Sequence, residues 1–244
     1  MSETILAPDG RVVMVTGASR GIGLAIARRL YSDGYRLSLG ARDPEACEAA
    51  FGAHDGDRVL FAAFDALDPE TAPAWVDSTI ARFGRIDALI NNAGILRMVD
   101  FDNDGEADLD ALWAVNAKAP YRMIRLALPH LRKSGTGRIV NIASTDAKRY
   151  RDATVSIGYA MTKHALLALS HAAKFAGWDD GVRVTALCPG AVDTDMIAGL
   201  PGVTPGPGRI PPDTIAEAVS FVLRLPNAAS VAEFPVNARL ESTL

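Results

Sequence analysis

Short apolar runs, each closed by a glycine or polar turn and followed by a stretch with helical spacing, constrain this chain more than any other feature. Arg11-Val-Val-Met-Val-Thr16 lies between Gly10 and Gly17 and reads as a buried strand. Gly21–Asp33 then carries apolar residues at helical spacing. The alternation recurs, with strands expected over residues 36–39, 58–64, 86–91, 137–143 and 182–187 and helical stretches between them. Parallel strands need a crossover, usually a helix, so this pattern implies a doubly wound α/β fold with helices on both faces of a parallel sheet. At 244 residues and 49% hydrophobic, the chain suits one domain, residues 1–244, around one sizeable core. The longest helical candidates are 107–133 and 156–178, and the proline-rich stretch 199–212 reads as a loop. Ligands of such sheets bind at the carboxyl ends of the strands.

Composition narrows the function further. The formal charge is -4 with lysines and arginines scattered, so there is no electrostatic footprint for nucleic acid. Only Cys47 and Cys188 are present, too few for a disulfide framework, and both read as core thiols. His54, His130, His164 and His171 lack neighbours at ligand spacing, so no metal is assigned. No apolar run approaches membrane-spanning length and the N-terminus is polar, so a soluble cytoplasmic protein with no membrane partner is expected.

Two groups of residues carry chemistry. Gly17, Gly21 and Gly23 follow the first strand in Thr16-Gly-Ala-Ser-Arg-Gly-Ile-Gly23, a spacing that departs from the G-x-G-x-x-G fingerprint yet can serve the same end. Glycine allows the tight turn and close approach of a pyrophosphate, and the next helix presents its positive N-terminus. Tyr159 and Lys163 stand four residues apart, hence on one face of a helix, where an ammonium would favour the ionised phenol. Ser144 lies fifteen residues before the tyrosine. Taken singly, Asn116 and Ser144 could be backbone caps and Tyr159 an interface aromatic. Together with a dinucleotide, a proton donor means hydride transfer.

With these motifs in order, the chain resembles the single-domain branch of the short-chain dehydrogenase/reductase family, which has a Rossmann fold. The resemblance covers nearly the whole chain. It rests on the Thr16 to Gly23 turn, Asn91-Asn-Ala-Gly94, Asn116, Ser144, Tyr159-x-x-x-Lys163 and Pro189-Gly190-x-Val192-x-Thr194. It implies that Tyr159 exchanges a proton with the substrate oxygen and that Ser144 hydrogen-bonds that oxygen. Lys163 would bind the nicotinamide ribose and lower the tyrosine pKa, and Asn116 would position a water that links the lysine to solvent. Gly17, Ser19, Arg20, Gly21, Ile22 and Gly23 would form the cofactor turn, Asp65 would meet the adenine, and Asn91, Ala93 and Gly94 would line the adenosine side. Pro189, Gly190, Val192 and Thr194 would hold the nicotinamide, with Val192 and Thr194 on its carboxamide.

Several finer expectations follow. An acidic residue at the end of the second strand would select NAD, but Leu37-Ser-Leu-Gly-Ala-Arg42 has none, and Arg42 with Arg20 suits a 2'-phosphate. NADP(H) is therefore expected over NAD(H); the competing reading turns Asp43 back to the ribose and Arg42 to solvent. The segment 145–158 is longer than usual in the family and basic through Lys148, Arg149 and Arg151. It is read as a solvated or subunit-facing loop, with contact to a substrate carboxylate as the alternative. The C-terminal part is similar to that of NADP-dependent members acting on 3-hydroxy acids and related small alcohols. The expected activity is an NADP-dependent carbonyl reductase or alcohol dehydrogenase for a small-molecule substrate. A nucleotide-binding regulatory relative without turnover is the alternative, although it would not need serine, tyrosine, lysine and asparagine together. An extended-branch dehydratase or epimerase would need more chain after Thr194. The family pairs through its two long helices, which implies a homotetramer or homodimer here.

Overall fold

A computed structural model of the chain describes residues 5–102, 104–152, 154–198 and 208–238. The apolar run after Gly10 forms β1 (Val12–Thr16), with every residue buried. The other strands are β2 (Arg36–Ala41), β3 (Val59–Ala63), β4 (Ala88–Asn91), β5 (Arg138–Ile142), β6 (Arg183–Pro189) and β7 (Glu233–Val236). They form one parallel sheet in the order β3-β2-β1-β4-β5-β6-β7. The order reverses between β1 and β4, which opens a crevice at their carboxyl ends.

The helices are α1 (Gly21–Asp33), α2 (Pro44–Phe51), α3 (Thr71–Phe83), α4 (Glu106–Trp113), α5 (Ala119–Lys133), α6 (Ile157–Gly177), α7 (Asp195–Ala198) and α8 (Pro212–Arg224). Side chains of β1 alternate between two cores. Val13 and Val15 join Ile26 and Leu30 of α1 and Val219 and Leu223 of α8. Met14 joins Trp75 of α3 with Met123 and Leu131 of α5 on the other face. Such double-sided burial explains why the strands read as continuous apolar runs rather than alternating ones. No described helix is long and apolar enough to cross a membrane. Both cysteines are buried and free.

Two differences from the pattern expected of the sequence have identifiable causes. The helix expected over 107–133 is interrupted by a π segment, Ala114–Lys118, in which the N–H of Ala119 bonds to the carbonyl of Ala114. Pro120 has no N–H to give the carbonyl of Asn116 four residues earlier, and its ring crowds that carbonyl, so the turn widens at Asn116. The second difference is β7, which no apolar run announces. It has four residues, one of them Pro235, and proline is tolerated because β7 pairs on one side only, with β6. The 199–212 loop expectation lies outside the described residues up to 207; from Pro212 the chain is helical.

Candidate active site

The glycine turn is fastened to the end of β4, its neighbour in the sheet. Thr16 Oγ1 donates to the Ile90 carbonyl at 3.3 Å and accepts from the N–H groups of Asn92 and Ala93, each at 2.9 Å. Asn92 Nδ2 in turn donates to the carbonyls of Thr16 and Gly17 at 3.0 and 3.1 Å. Gly17 has φ +67°, and a Cβ there would lie 3.0 Å from Ala93 Cα. At Gly23 a Cβ would enter the Gly17 carbonyl and lie 2.5 Å from Asn92 Nδ2. These two positions admit only glycine without a shift of the turn. The turn delivers the chain into α1, whose N-cap Arg20 provides no side-chain cap. The first N–H groups of α1 are thus left for an anion, as a pyrophosphate cradle requires. Ser19 lies in this turn, and Ile22 packs its side chain against the core. Asn92 is the residue that sequence reasoning leaves without a role, although it stands inside the Asn91 to Gly94 motif.

At the β2 end of the crevice, Ala41 is buried and Arg42 is exposed. Asp43 does not turn back toward the groove: its Oδ1 accepts from the Ala46 N–H at 3.0 Å and caps α2. Asp65 follows β3, where its Oδ1 accepts from the Leu67 N–H at 2.9 Å and its own N–H donates to Thr71 Oγ1 at 3.1 Å. Arg20 is exposed and sits 3.7 Å from Asp195, a pair too solvated to hold either side chain firmly.

Toward the centre of the sheet, β5 ends two residues before Ser144, which caps a 3₁₀ turn (Thr145–Ala147) by accepting from the Asp146 N–H at 3.0 Å. Ser156 caps α6 by accepting from the Tyr159 N–H at 3.2 Å and so sets the first turn, which presents the tyrosine. Ser144 is near enough to the Tyr159 side chain to influence its ionisation. Lys163 lies one turn further along, with Nζ 5.5 Å from the tyrosine ring centre and donating to the Ile142 carbonyl at 2.8 Å. Gly94 brings the β4 motif to the same place: a Cβ there would lie 3.4 Å from Asn116 Oδ1 and 3.7 Å from Lys163 Nζ. Asn116, 1% exposed, accepts from the Ile95 N–H at 2.9 Å and donates to the Ile95 carbonyl at 2.9 Å and to Thr162 Oγ1 at 3.2 Å. Its side chain therefore braces the loop after β4 against α6. Serine, asparagine and the tyrosine–lysine pair of α6, which come from three separate segments of the chain, share one locus.

The model of the short chain dehydrogenase family matches residues 11–201. This chain belongs to the short-chain dehydrogenase/reductase family. Two agropine synthesis reductases from Rhizobium rhizogenes are 42% identical over 232 and 233 residues, 95% of this chain and 53% of theirs. The chain thus spans about half the length of those curated relatives. Among solved structures, an alcohol dehydrogenase from the archaeon Thermococcus sibiricus complexed with 5-hydroxy-NADP superposes with a TM-score of 0.84, at 33% identity, covering 95% of this chain and 99% of that one. A 3-ketoacyl-(acyl-carrier-protein) reductase from Brucella melitensis complexed with NADH gives 0.83 at 27% identity, covering 94% and 98%. The relatives thus include both reductases and dehydrogenases.

For a short-chain dehydrogenase/reductase the electrostatics of the site are informative. Burial pushes the Tyr159 phenol above its ordinary 10, the Asp146 carboxylate adds to the rise, and Ser144 opposes them. Burial also lowers Lys163 from 10.5 to about 8, with Cys188 and Asp146 opposing. In the protein by itself, burial is the largest influence on the phenol and favours its protonated form.

The loop after β6 bends over the glycine turn. The N–H of Gly190 donates to the Val236 carbonyl at 2.8 Å, and Val192, bridged to Ile210, turns its side chain into the core. Thr194 reaches the turn itself, its Cγ2 lying 3.3 Å from where a Gly21 Cβ would be. Pro189 ends β6 beside Val236 of β7. Asn91, 2% exposed, donates through Nδ2 to Asn141 Oδ1 at 2.8 Å, so its side chain belongs to the core rather than to the groove surface. Two cations of the 145–158 segment are neutralised within the chain, Lys148 by Glu233 and Arg151 by Asp152.

Proposed function

We propose that residues 1–244 act as one dinucleotide-binding and catalytic domain that reduces a small carbonyl compound with NADPH, or oxidises the corresponding alcohol with NADP⁺. The observation that carries this reading is the convergence of Ser144, Tyr159, Lys163 and Asn116 beside a glycine turn with an uncapped helix N-terminus. A relative that only bound nucleotide would have no use for a half-buried phenol with a buried lysine and serine together. The nicotinamide supplies the hydride.

The residues of the chain do the rest. Ser144 holds the substrate oxygen, and Tyr159, whose desolvation favours the protonated phenol, donates a proton to that oxygen as negative charge develops. Lys163 contributes positive charge beside the phenol and faces the position assigned to the nicotinamide ribose. Asn116 fixes the loop after β4, and the π turn frees its carbonyl to hold water on the route from the lysine to solvent. Thr16, Asn92, Gly17 and Gly23 shape the turn that cradles the pyrophosphate, with Ser19, Arg20, Gly21 and Ile22 around it. Ala93 and Gly94, next to Asn91, would line the adenosine side, Asp65 would meet the adenine, and Pro189, Gly190, Val192 and Thr194 would hold the nicotinamide.

The NADP(H) assignment is supported by the α2 cap. Asp43 commits its carboxylate to Ala46, whereas Arg42 is exposed at the position where a 2'-phosphate would lie. The reductase and alcohol dehydrogenase relatives favour a small polar carbonyl or alcohol as substrate. A screen of aldehydes, ketones, 3-hydroxy acids and sugar alcohols with each cofactor tests the proposal. Tyr159→Phe should then reduce kcat by about 10²-fold to 10⁴-fold, the usual loss of a general acid, with cofactor affinity retained. A phenylalanine variant that kept more than roughly a tenth of kcat would remove Tyr159 from the mechanism.

A further inference from the structure

We propose that Glu233 of β7 is a positioning residue that fixes the Ser144 turn relative to the helix carrying Tyr159 and Lys163; this rests on the catalytic reading above. Glu233 stands opposite Ala186 in the register of the edge strand. Its Oε2 accepts from Lys148 Nζ, and its Oε1 lies 2.9 Å from His171 Nε2. Lys148 is the C-cap of the 3₁₀ turn that begins at Ser144, with its N–H donating to the Thr145 carbonyl at 3.0 Å. His171 is on α6, the helix that presents Tyr159 and Lys163. One carboxylate therefore ties the serine turn to the tyrosine helix from across the sheet edge.

The turn needs such a tie because apolar packing alone holds it weakly. Its buried contacts form a small cluster of Ala143, Ala147, Leu166, Ala186 and Cys188, and three of those five are alanines, whose single methyl groups bury little area. The large side chains there, Leu166 with Leu167 and Leu169 packed against the cluster, come from α6 and not from the serine turn. Bonding to Lys148 first, and to His171, holds the Glu233 carboxyl below its ordinary range, as expected of an anion engaged on both oxygens. The three side chains are 24–41% exposed, so their ion pairs add little to global stability. Their effect is on geometry, and misplacement of a reacting group by about 1 Å can cost roughly 10²-fold in rate.

The test uses the full chain with Glu233→Gln, Lys148→Met and the double variant. Each single change should lower kcat about ten-fold while cofactor affinity and Tm stay near wild type. Because both remove the same tie, the double variant should be no worse than the singles. Exchange of the Asp146, Ala147 and Lys148 amides, bonded to Ser144 Oγ, Ser144 O and Thr145 O, should quicken in each variant while the α6 amides stay protected. Unchanged kcat in the folded single variants, losses that multiply in the double, or a rise in substrate KM confined to Lys148→Met would overturn the proposal. Should Glu233→Gln fail to fold, Lys148→Met, at a half-buried position, breaks the same tie and decides the matter alone. If the wild type reduced no carbonyl with either cofactor, the catalytic reading would fall, while amide exchange would still decide whether the tie holds the turn.

Discussion

Replacing Lys163 with methionine is expected to abolish activity and yet stabilise the protein. Lys163 is 5% exposed, and burial lowers its ammonium from 10.5 to about 8. The difference, 10.5 minus 8, is 2.5 pH units, which at about 1.36 kcal/mol per unit is roughly 3 kcal/mol of cost carried at neutral pH. Methionine is unbranched, of similar length and able to fill an irregular gap without a charge. Against this, the Ile142 carbonyl loses its donor at 2.8 Å, and an unsatisfied buried acceptor costs about 1–3 kcal/mol. A net gain of about 0–2 kcal/mol remains, or up to roughly 8 °C in Tm for a domain of this size. Below about pH 8 the lysine is charged in both the folded and unfolded states, so its cost is present in full. Between about 8 and 10.5 the unfolded chain binds more protons than the folded one, so wild-type stability rises with pH and the methionine advantage shrinks. Urea unfolding of both proteins near pH 7 and near pH 9.5 checks both sign and slope. A less stable variant at pH 7, or a difference that does not vary with pH, would show that the site solvates the ammonium well and that the desolvation argument is wrong.

Three further outcomes are expected. Gly23→Ala places a Cβ into the Gly17 carbonyl and against Asn92, so isothermal titration should show cofactor binding lost at concentrations that saturate the wild type, with folding retained. Arg42→Ala should weaken NADPH by about 1.5–3 kcal/mol, roughly ten-fold to more than a hundred-fold, and leave NADH almost unchanged; equal weakening of both would assign Arg42 to the fold of the turn instead. Exposed Met161 and Phe175 on α6 and Tyr121 on α5 leave an apolar face suited to a two-fold contact, so light scattering should give the mass of a dimer or tetramer, which Phe175→Asp should shift toward the monomer.

Much of this molecule is legible in local sequence because local chemistry decides it. Strand and helix alternate in the apolar pattern itself, and the turn glycines mark where backbones must approach. Asp43 caps α2 through a contact only three residues away, and Pro120 widens the helix at Asn116 four residues before it, so both effects are present in the sequence as single letters. β7 is hidden because four residues with a proline satisfy no strand pattern until β6 offers them an edge. Other features depend on distance in the chain closed by the sheet. Thr16 meets Asn92 because β1 and β4 are neighbours, and Glu233 meets Lys148 and His171 because β7 lies along β6. The spacing of Tyr159 and Lys163 places the two groups together, but their protonation follows from how much water the packed fold excludes. Burial is a property of every element around the site at once, and for that reason only the tertiary structure decided it.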